Sequence, residues 1–307
     1  MGGLPDLPEP AGALALGALL RATTAITGTD PGFLADGPDR TPPAVELHSL
    51  LCDRERPGTL GFAVHRLNLS AQAVREQLST DTWLVLSRLD EVLARLAASP
   101  PTRNGPDPDL DGALVSGALD RVLAGLLALS GIEAESLVRD AGWHLLDAGR
   151  RIERAQHVVA LLRETLGEDP GGQAGRLVTE TTVIVAESVI THRRRHAGRR
   201  DVAPVLGLLL TDRDNPRAVA YQLARLEEDL GALPGPVPDA LAATVERLAA
   251  ADLGAAAARA ADGSRAGLRL LLSGLGDDLA RLAEQIAAAH FAHAAGPRPY
   301  DPLVATP

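Results

Sequence analysis

Hydrophobic residues recur at intervals of three and four in residues 143–162. This spacing is typical of an amphipathic helix, because an α-helix completes one turn every 3.6 residues. Charged residues lie off the apolar face, but Trp143, Leu146 and Leu161 are interspersed among them. We therefore predict a helix that is covered on more than one side and whose charges are partly enclosed. The predicted apolar face consists of Leu145, Ala148, Ile152, Ala155, Val159 and Leu162.

Helical spacing recurs along the chain, and no stretch shows the sustained alternation that is typical of a strand. Alanine and leucine dominate, and aromatic residues make up 2% of the sequence, which favours helices over sheets. We predict an all-α helical bundle in which Pro57 lies in the first turn of one helix and Ser79 is the N-cap of the next. The other predicted helices span residues 11–27, 45–52, 57–77, 82–98, 114–129, 177–196, 202–210, 216–230, 239–251 and 264–294.

An internal repeat indicates two related halves. Asp53-Arg54 and Pro57 are matched by Asp212-Arg213 and Pro216 at a constant offset of 159 residues, within a gapless match of nearly twenty positions. We predict one helical domain at residues 13–295, with a first half at 13–110 and a second half at 111–295. Glycine- and proline-rich composition predicts a disordered N-terminus at 1–12, and the C-terminal segment 296–307 is expected to be a flexible tail.

Three segments resemble the bacterial alpha-E family, uncharacterised helical proteins named for a Glu-Arg pair. These are residues 142–156 (GWHLLDAGRRIERAQ), 187–223 and 50–67, and the pair is identified as Glu153-Arg154. The family typically carries a Glu-Arg pair in both halves, whereas a first-half counterpart of Glu153 would precede Met1. We therefore expect that the sequence starts late relative to the family pattern or was once the end of a longer polypeptide.

The resemblance also implies a functional context. Alpha-E proteins are similar in context to a proposed peptide synthesis or modification system that includes circularly permuted ATP-grasp ligases and transglutaminase-like proteins. This implies an accessory or docking module that acts with such a ligase. Two alternatives stay open: an enzyme that uses Glu153 as a general base, and a structural interaction protein whose charges hold helices together.

The charged residues of the central segment are the first candidate site. Asp147, Arg150 and Arg154 are spaced three and four apart and share a helix surface, and Arg150 can also meet Glu153. Arginine binds carboxylates and phosphates through planar bidentate contacts, so this cluster could hold a peptide carboxylate or a phosphate. The alternative is an internal ion-pair network that fixes the position of the helix.

The basic run at residues 192–200 is the second candidate. Arg193, Arg194 and Arg195 could bind phosphate or an acidic peptide, or dock a partner. Alternatively they form a cationic helix end stabilised by the helix dipole, or pair with the Glu153 cluster or Glu187.

The two Asp-Arg pairs are predicted to be structural caps. Asp53 and Asp212 would cap the helices that follow, while Arg54 and Arg213 would donate to exposed carbonyl groups.

Other chemistry is poorly supported by the sequence. Lysine is absent, and neither a glycine-rich phosphate-binding loop with Lys-Ser/Thr nor a GxSxG nucleophile motif occurs. His290 and His293 lie one turn apart without an evident third ligand, so no metal site and no cofactor are predicted.

Charge and composition restrict the kinds of partner and the cellular compartment that we expect. The net charge of −10 argues against nucleic-acid binding. Cys52 is the single cysteine, which fits a reducing compartment, and the N-terminus lacks a secretory pattern. The longest apolar run, residues 122–132, is shorter than the roughly 20 residues that cross a bilayer. We expect a cytoplasmic protein without a membrane partner.

Overall fold

A computed structural model describes residues 9–30, 41–101, 110–196 and 201–291, and the described chain is all-α. A short 3-10 helix, Arg75–Gln77, follows α3, and a π-helical turn, Gly207–Thr211, continues α9. The described residues form no strand, and one isolated bridge joins Glu168 to Ser264. The helices are α1 (Glu9–Thr27), α2 (Pro43–Cys52), α3 (Leu60–Ala73), α4 (Thr80–Ala97), α5 (Gly112–Ser136), α6 (Ala141–Leu166), α7 (Gly172–Val185), α8 (Val189–His196), α9 (Val202–Leu206), α10 (Val219–Gly231), α11 (Asp239–Ala249), α12 (Leu253–Ala257) and α13 (Ala266–His290).

Helix α6 is the central element, as its hydrophobic spacing predicts. It packs against α1, α10 and α13 and also contacts α7. Five of the six residues of the predicted apolar face are buried, and Leu145 is partly buried against the same core. The helix begins after Asp140, whose carboxylate accepts a hydrogen bond from the Trp143 amide at 3.0 Å. Burial on several sides therefore holds this helix in place.

The described helices pack around two separate hydrophobic cores. The larger core contains side chains from α1, α6, α7 and α9–α13, and the smaller one contains side chains from α3, α4 and α5. Helix α2 packs against α3 and α4. Because α1 joins the larger core and α5 the smaller one, the cores do not follow the predicted division near residue 110. The duplication of two halves stays a prediction.

Most predicted helices are present with shifted ends. Ser79 is the N-cap of α4, as predicted, and its hydroxyl accepts from the Thr82 amide at 3.2 Å. Helix α3 begins at Leu60 and α10 at Val219, three residues after the prolines predicted to lie in their first turns. Helix α5 extends beyond the predicted 114–129, and the short α12 was not predicted.

The predicted helix at 177–196 is wrong in one respect, because it is broken into α7 and α8. At the break, the Glu187 amide donates to the Ile184 carbonyl at 2.9 Å, and the Ser188 amide donates to the Val183 carbonyl at 3.0 Å. This is the hydrogen-bond pattern of a Schellman helix end, in which glycine is usual at the left-handed position. Here Glu187 occupies that position with φ 50°, so no glycine marks the break in the sequence.

Several predictions fall outside the described residues. The predicted disordered N-terminus at 1–12 and tail at 296–307 lie outside them, except that α1 already includes residues 9–12. The middle of the loop at 28–43 and of the linker at 99–112 is also outside.

Helix α5 is more apolar than its neighbours. By length and composition it could cross a membrane, although core helices of soluble proteins meet the same criteria. Only 17% of its most apolar window is buried, and Leu123 and Leu127 are exposed. The apolar segment is therefore longer than the predicted run at 122–132. The prediction of a cytoplasmic protein without a membrane partner stays a prediction.

The strained position of Glu187 can be tested with two substitutions. Both Glu187→Gly and Glu187→Ala remove the carboxylate, but only glycine removes the Cβ that disfavours a positive φ. We expect Glu187→Gly to unfold with a free energy about 1 kcal/mol larger than that of Glu187→Ala. Urea denaturation measures this difference. Equal stabilities would show that the turn relaxes to a negative φ in solution.

Candidate functional site

A buried ion pair on α6 is the centre of the candidate site. Arg151 donates to the Asp147 carboxylate through Nε and Nη2, each at 3.0 Å. The side chain of Asp147 is 2% exposed and that of Arg151 is 13% exposed. These bidentate contacts offset part of the cost of removing both charges from water.

Neighbouring helices extend this pair into a network. Arg150 pairs with Glu133 of α5 and lies 3.5 Å from Asp147. Arg151 also donates to the Gln222 side-chain oxygen of α10 at 3.3 Å. The charges of α6 are therefore joined to α5 on one side and to α10 on the other. This confirms that part of the polar face of α6 is enclosed.

A second buried carboxyl group lies beside the first. His144 Nδ1 lies 2.9 Å from Asp229 Oδ1, while Asp229 Oδ2 is buried without a hydrogen-bond partner among the described residues. Burial raises the pKa of Asp229; the His144 hydrogen bond lowers it, and the nearby Asp147 carboxylate raises it further. Folding therefore shifts the equilibrium of Asp229 towards its protonated form.

Arg154 lies outside this network. It is half-buried and makes no hydrogen bond or ion pair with any described residue. Burial lowers its pKa, and the positive charges of Arg150, Arg151 and Arg217 lower it further, against a smaller opposite effect of Asp147. The guanidinium group is therefore a cation without a direct partner, in surroundings that already hold several positive charges.

An open cleft of about 220 Å³ contains Arg154. Its polar lining also includes His157, Arg217 and Gln222. Arg217 is paired with Glu187, and burial lowers the pKa of His157, against the raising effect of Glu153. Among the described residues, the cleft thus presents one cation without an ion-pair partner, Arg154. Its apolar lining consists of Ile26, Val158, Leu161, Val185, Ala186 and Pro216.

Glu153 does not join the predicted cluster. Its side chain is 69% exposed, and its carboxylate lies 3.8 Å from Nε2 of His157. Consecutive residues of a helix point about 100° apart, so Glu153 and Arg154 face different surroundings. The structure brings Asp147 and Arg150 together, places Arg154 in the neighbouring cleft, and leaves Glu153 on the surface.

The basic residues of α8 lie apart from the cleft lining. Arg193 pairs with Glu180 at 3.3 Å, and Arg195 pairs with Asp212. Arg194 is exposed. The remaining arginines of the run, Arg199 and Arg200, lie outside the described residues.

The two Asp-Arg segments form turns of the same local form. Asp53 accepts hydrogen bonds from the Glu55 and Arg56 amides, and Asp212 accepts one from the Asp214 amide. Each aspartate thus caps a turn rather than the next helix, which begins seven residues later in both cases. The N-cap of α3 is instead Thr59.

The arginines of these turns were predicted to donate to exposed carbonyl groups, and the described residues show no such hydrogen bond. Arg54 pairs with Asp90 at 2.7 Å on the exposed surface. Arg213 is exposed, makes no hydrogen bond to a carbonyl group among the described residues, and lines a separate groove.

Seven residues of the site were missed by the sequence reasoning. Two of them, His144 and His157, lie on α6 itself. Arg151 could have been found, because it lies four residues after Asp147 on the same helix face. The other four are on separate elements, and nothing in the sequence associates them with α6. They are Glu133, Arg217, Gln222 and Asp229.

A metal site is not evident in the described part of the chain. No group of three or more histidine, cysteine, aspartate or glutamate side chains is suitably placed there. His290 ends α13, and His293 lies outside the described residues.

The sequence comparisons identify the family. The family model Alpha-E, described as a predicted alpha-helical domain with a conserved ER motif, matches residues 10–291. The chain belongs to this family. The dipeptide Glu-Arg also occurs at 55–56 and 246–247, but only Glu153-Arg154 lies in the central helix.

Curated relatives are uncharacterized proteins. The chain is 37% identical over 293 residues to an uncharacterized protein of Mycobacterium tuberculosis strain H37Rv and to one of Mycobacterium bovis. These matches cover 92% of this chain and 32% of each relative, so the chain spans about a third of their length. No solved structure matches the chain.

The buried carboxyl group predicts a pH dependence of stability. Because the pKa of Asp229 is raised on folding, the folded state binds its proton more tightly than the unfolded state does. This contribution to stability is present at acid pH and is lost as the pH rises through the raised pKa. We expect the wild type to lose stability relative to Asp229→Asn as the pH rises above the ordinary aspartate pKa of about 4 and through the raised pKa.

Denaturant unfolding at several pH values measures this effect. Asp120→Asn is the matched control, because Asp120 is an exposed carboxyl group on α5. If Asp229→Asn follows the same pH profile as Asp120→Asn and the wild type, folding does not shift the pKa of Asp229 and the prediction is wrong.

Proposed function

We propose that this chain is an accessory or docking module that binds an anionic peptide or partner at the Arg154 cleft. The observation that carries the proposal is the unpaired, half-buried guanidinium group of Arg154 in a cleft that is open to solvent. A partly desolvated cation without a counterion is unfavourable. An anionic group in the cleft would supply the missing counterion.

The surroundings of Arg154 favour binding of a ligand over internal pairing. Arg150 and Arg151 are held by Glu133 and Asp147, so they keep their positions without a ligand. Their positive charges add to the potential at Arg154, as the direction of its pKa shift shows. An arrangement fixed before the ligand arrives binds it with a smaller entropic cost.

The proposed partner is a circularly permuted ATP-grasp ligase of a peptide synthesis or modification system, with a transglutaminase-like protein as a further candidate. This part of the proposal rests on the resemblance to the alpha-E family and its proposed context. In this role the cleft would hold the anionic end of the peptide while the ligase supplies the chemistry.

The enzyme alternative has less support from the geometry. A general base gains a raised pKa from burial and must reach its substrate in a pocket. Glu153 is exposed and does not line the cleft. The structural alternative accounts for Asp147, Arg150 and Arg151, which are fully paired, but it leaves Arg154 without a role.

Removal of the unpaired cation tests the proposal. Arg154→Ala is expected to weaken binding of the purified ATP-grasp ligase from the same organism, or of its anionic peptide, by about tenfold or more, because charge-assisted hydrogen bonds contribute about 1.5–3 kcal/mol. Surface plasmon resonance measures the affinity, and circular dichroism checks the fold.

Arg88→Ala is the control, since Arg88 is exposed on α4, away from the cleft lining. Equal affinities of the wild type and both variants would exclude the Arg154 cleft as the docking site. An equal loss of affinity in both variants would indicate a general effect of positive charge on binding.

A further inference from the structure

We infer that the Arg154 cleft binds the C-terminal residue of a peptide, with its free carboxylate at Arg154 and an aliphatic side chain against the apolar wall. This inference rests on the proposed function and narrows its ligand from any anionic group to one class. The supporting features are the balance of charges around the cleft, the neutral state of His157 at pH 7 and the apolar composition of the cleft wall.

Among the described residues, the charges around the cleft leave one cation without an ion-pair partner. Arg150 pairs with Glu133, Arg151 with Asp147, and Arg217 with Glu187. Arg154 is the remaining guanidinium group, because the exposed Glu153 carboxylate lies beside His157 and makes no ion pair with Arg154. One surplus positive charge matches a carboxylate, which carries one negative charge, better than a phosphate monoester, which carries nearly two at neutral pH.

His157 does not change this balance at neutral pH. Burial lowers the pKa of His157, while Glu153 raises it by a smaller amount. The imidazole is therefore neutral at pH 7 and adds no second positive charge to the cleft. It remains able to donate or accept one hydrogen bond.

The lining of the cleft favours an apolar group next to the anion. Val158 and Leu161 of α6, Val185 and Ala186 at the end of α7, and Pro216 surround the space beside the guanidinium group. A bare inorganic anion would leave these surfaces in contact with water. An aliphatic side chain would cover these surfaces and remove them from water, which is favourable.

The size of the cleft limits the ligand to a single residue. Its volume of about 220 Å³ is below the range of about 300–1,000 Å³ that is typical of pockets for whole small molecules. Because the cleft is open to solvent, the rest of a peptide could leave along the surface. Capture of a C-terminal carboxylate is a known mode of peptide recognition.

The test uses four probes against the wild-type protein. Acetyl-Ala-Ala-Leu with a free carboxylate is compared with its C-terminal amide, with acetyl-Ala-Ala-Gly as a free acid, and with inorganic phosphate. Isothermal titration calorimetry gives the affinities. We expect the leucine acid to bind at least about tenfold more tightly than its amide, because the amide removes the charge-assisted contact. We expect it to bind at least about threefold more tightly than the glycine acid.

Two variants locate the binding. Arg154→Gln is expected to weaken the binding of the leucine acid by about tenfold or more. Arg88→Gln, which removes an exposed arginine on α4, is expected to change the affinity for the leucine acid by less than about twofold. The probe comparisons use the unaltered protein, so they hold whatever Arg154→Gln does to folding.

The outcomes separate the inference from the proposed function. Equal binding of acid and amide, or of leucine and glycine acids, overturns the inference. If phosphate binds more tightly than the leucine acid and depends on Arg154, the anion site stands while the inference falls. If no probe binds in an Arg154-dependent way, this inference and the anion-binding part of the proposed function both fall.

Discussion

The pairing of Asp147 with Arg151 inside the bundle is the interaction on which the candidate site depends. Arg151 contacts both carboxylate oxygens and also Gln222 of α10. Removing either partner would leave a buried charge without compensation, which costs about 3–5 kcal/mol in comparable cases. The pair lies within α6, and Arg151 links it to α10 through Gln222, which also lines the cleft that contains Arg154.

Helix α6 could be identified from sequence because its apolar period is clear and long. Its buried face contains Ala148, Ile152, Ala155 and Val159, as the spacing predicts. The break at Glu187 could not be predicted, since a helix that ends in a left-handed residue is normally marked by glycine or asparagine. The first turns of α3 and α10 were misplaced because proline is also frequent in the turn before a helix.

The site was only partly predictable for a related reason. Spacing of three and four residues identifies side chains that share a helix surface, which is why Asp147 and Arg150 were found. Spacing does not show which neighbouring helix covers each part of that surface. Glu133 lies 17 residues from its partner Arg150, and Asp229 lies 85 residues from His144, so both contacts depend on the tertiary arrangement.

The Glu-Arg pair is therefore not an ion pair. Adjacent positions on a helix diverge by about 100°, which directs Glu153 towards solvent and Arg154 into the cleft. The link between the two positions is indirect: Glu153 lies one turn before His157, which lines the same cleft as Arg154. A carboxylate at that distance raises the pKa of His157 against the effect of burial, so Glu153 acts on the protonation of the cleft rather than on the arginine beside it in sequence.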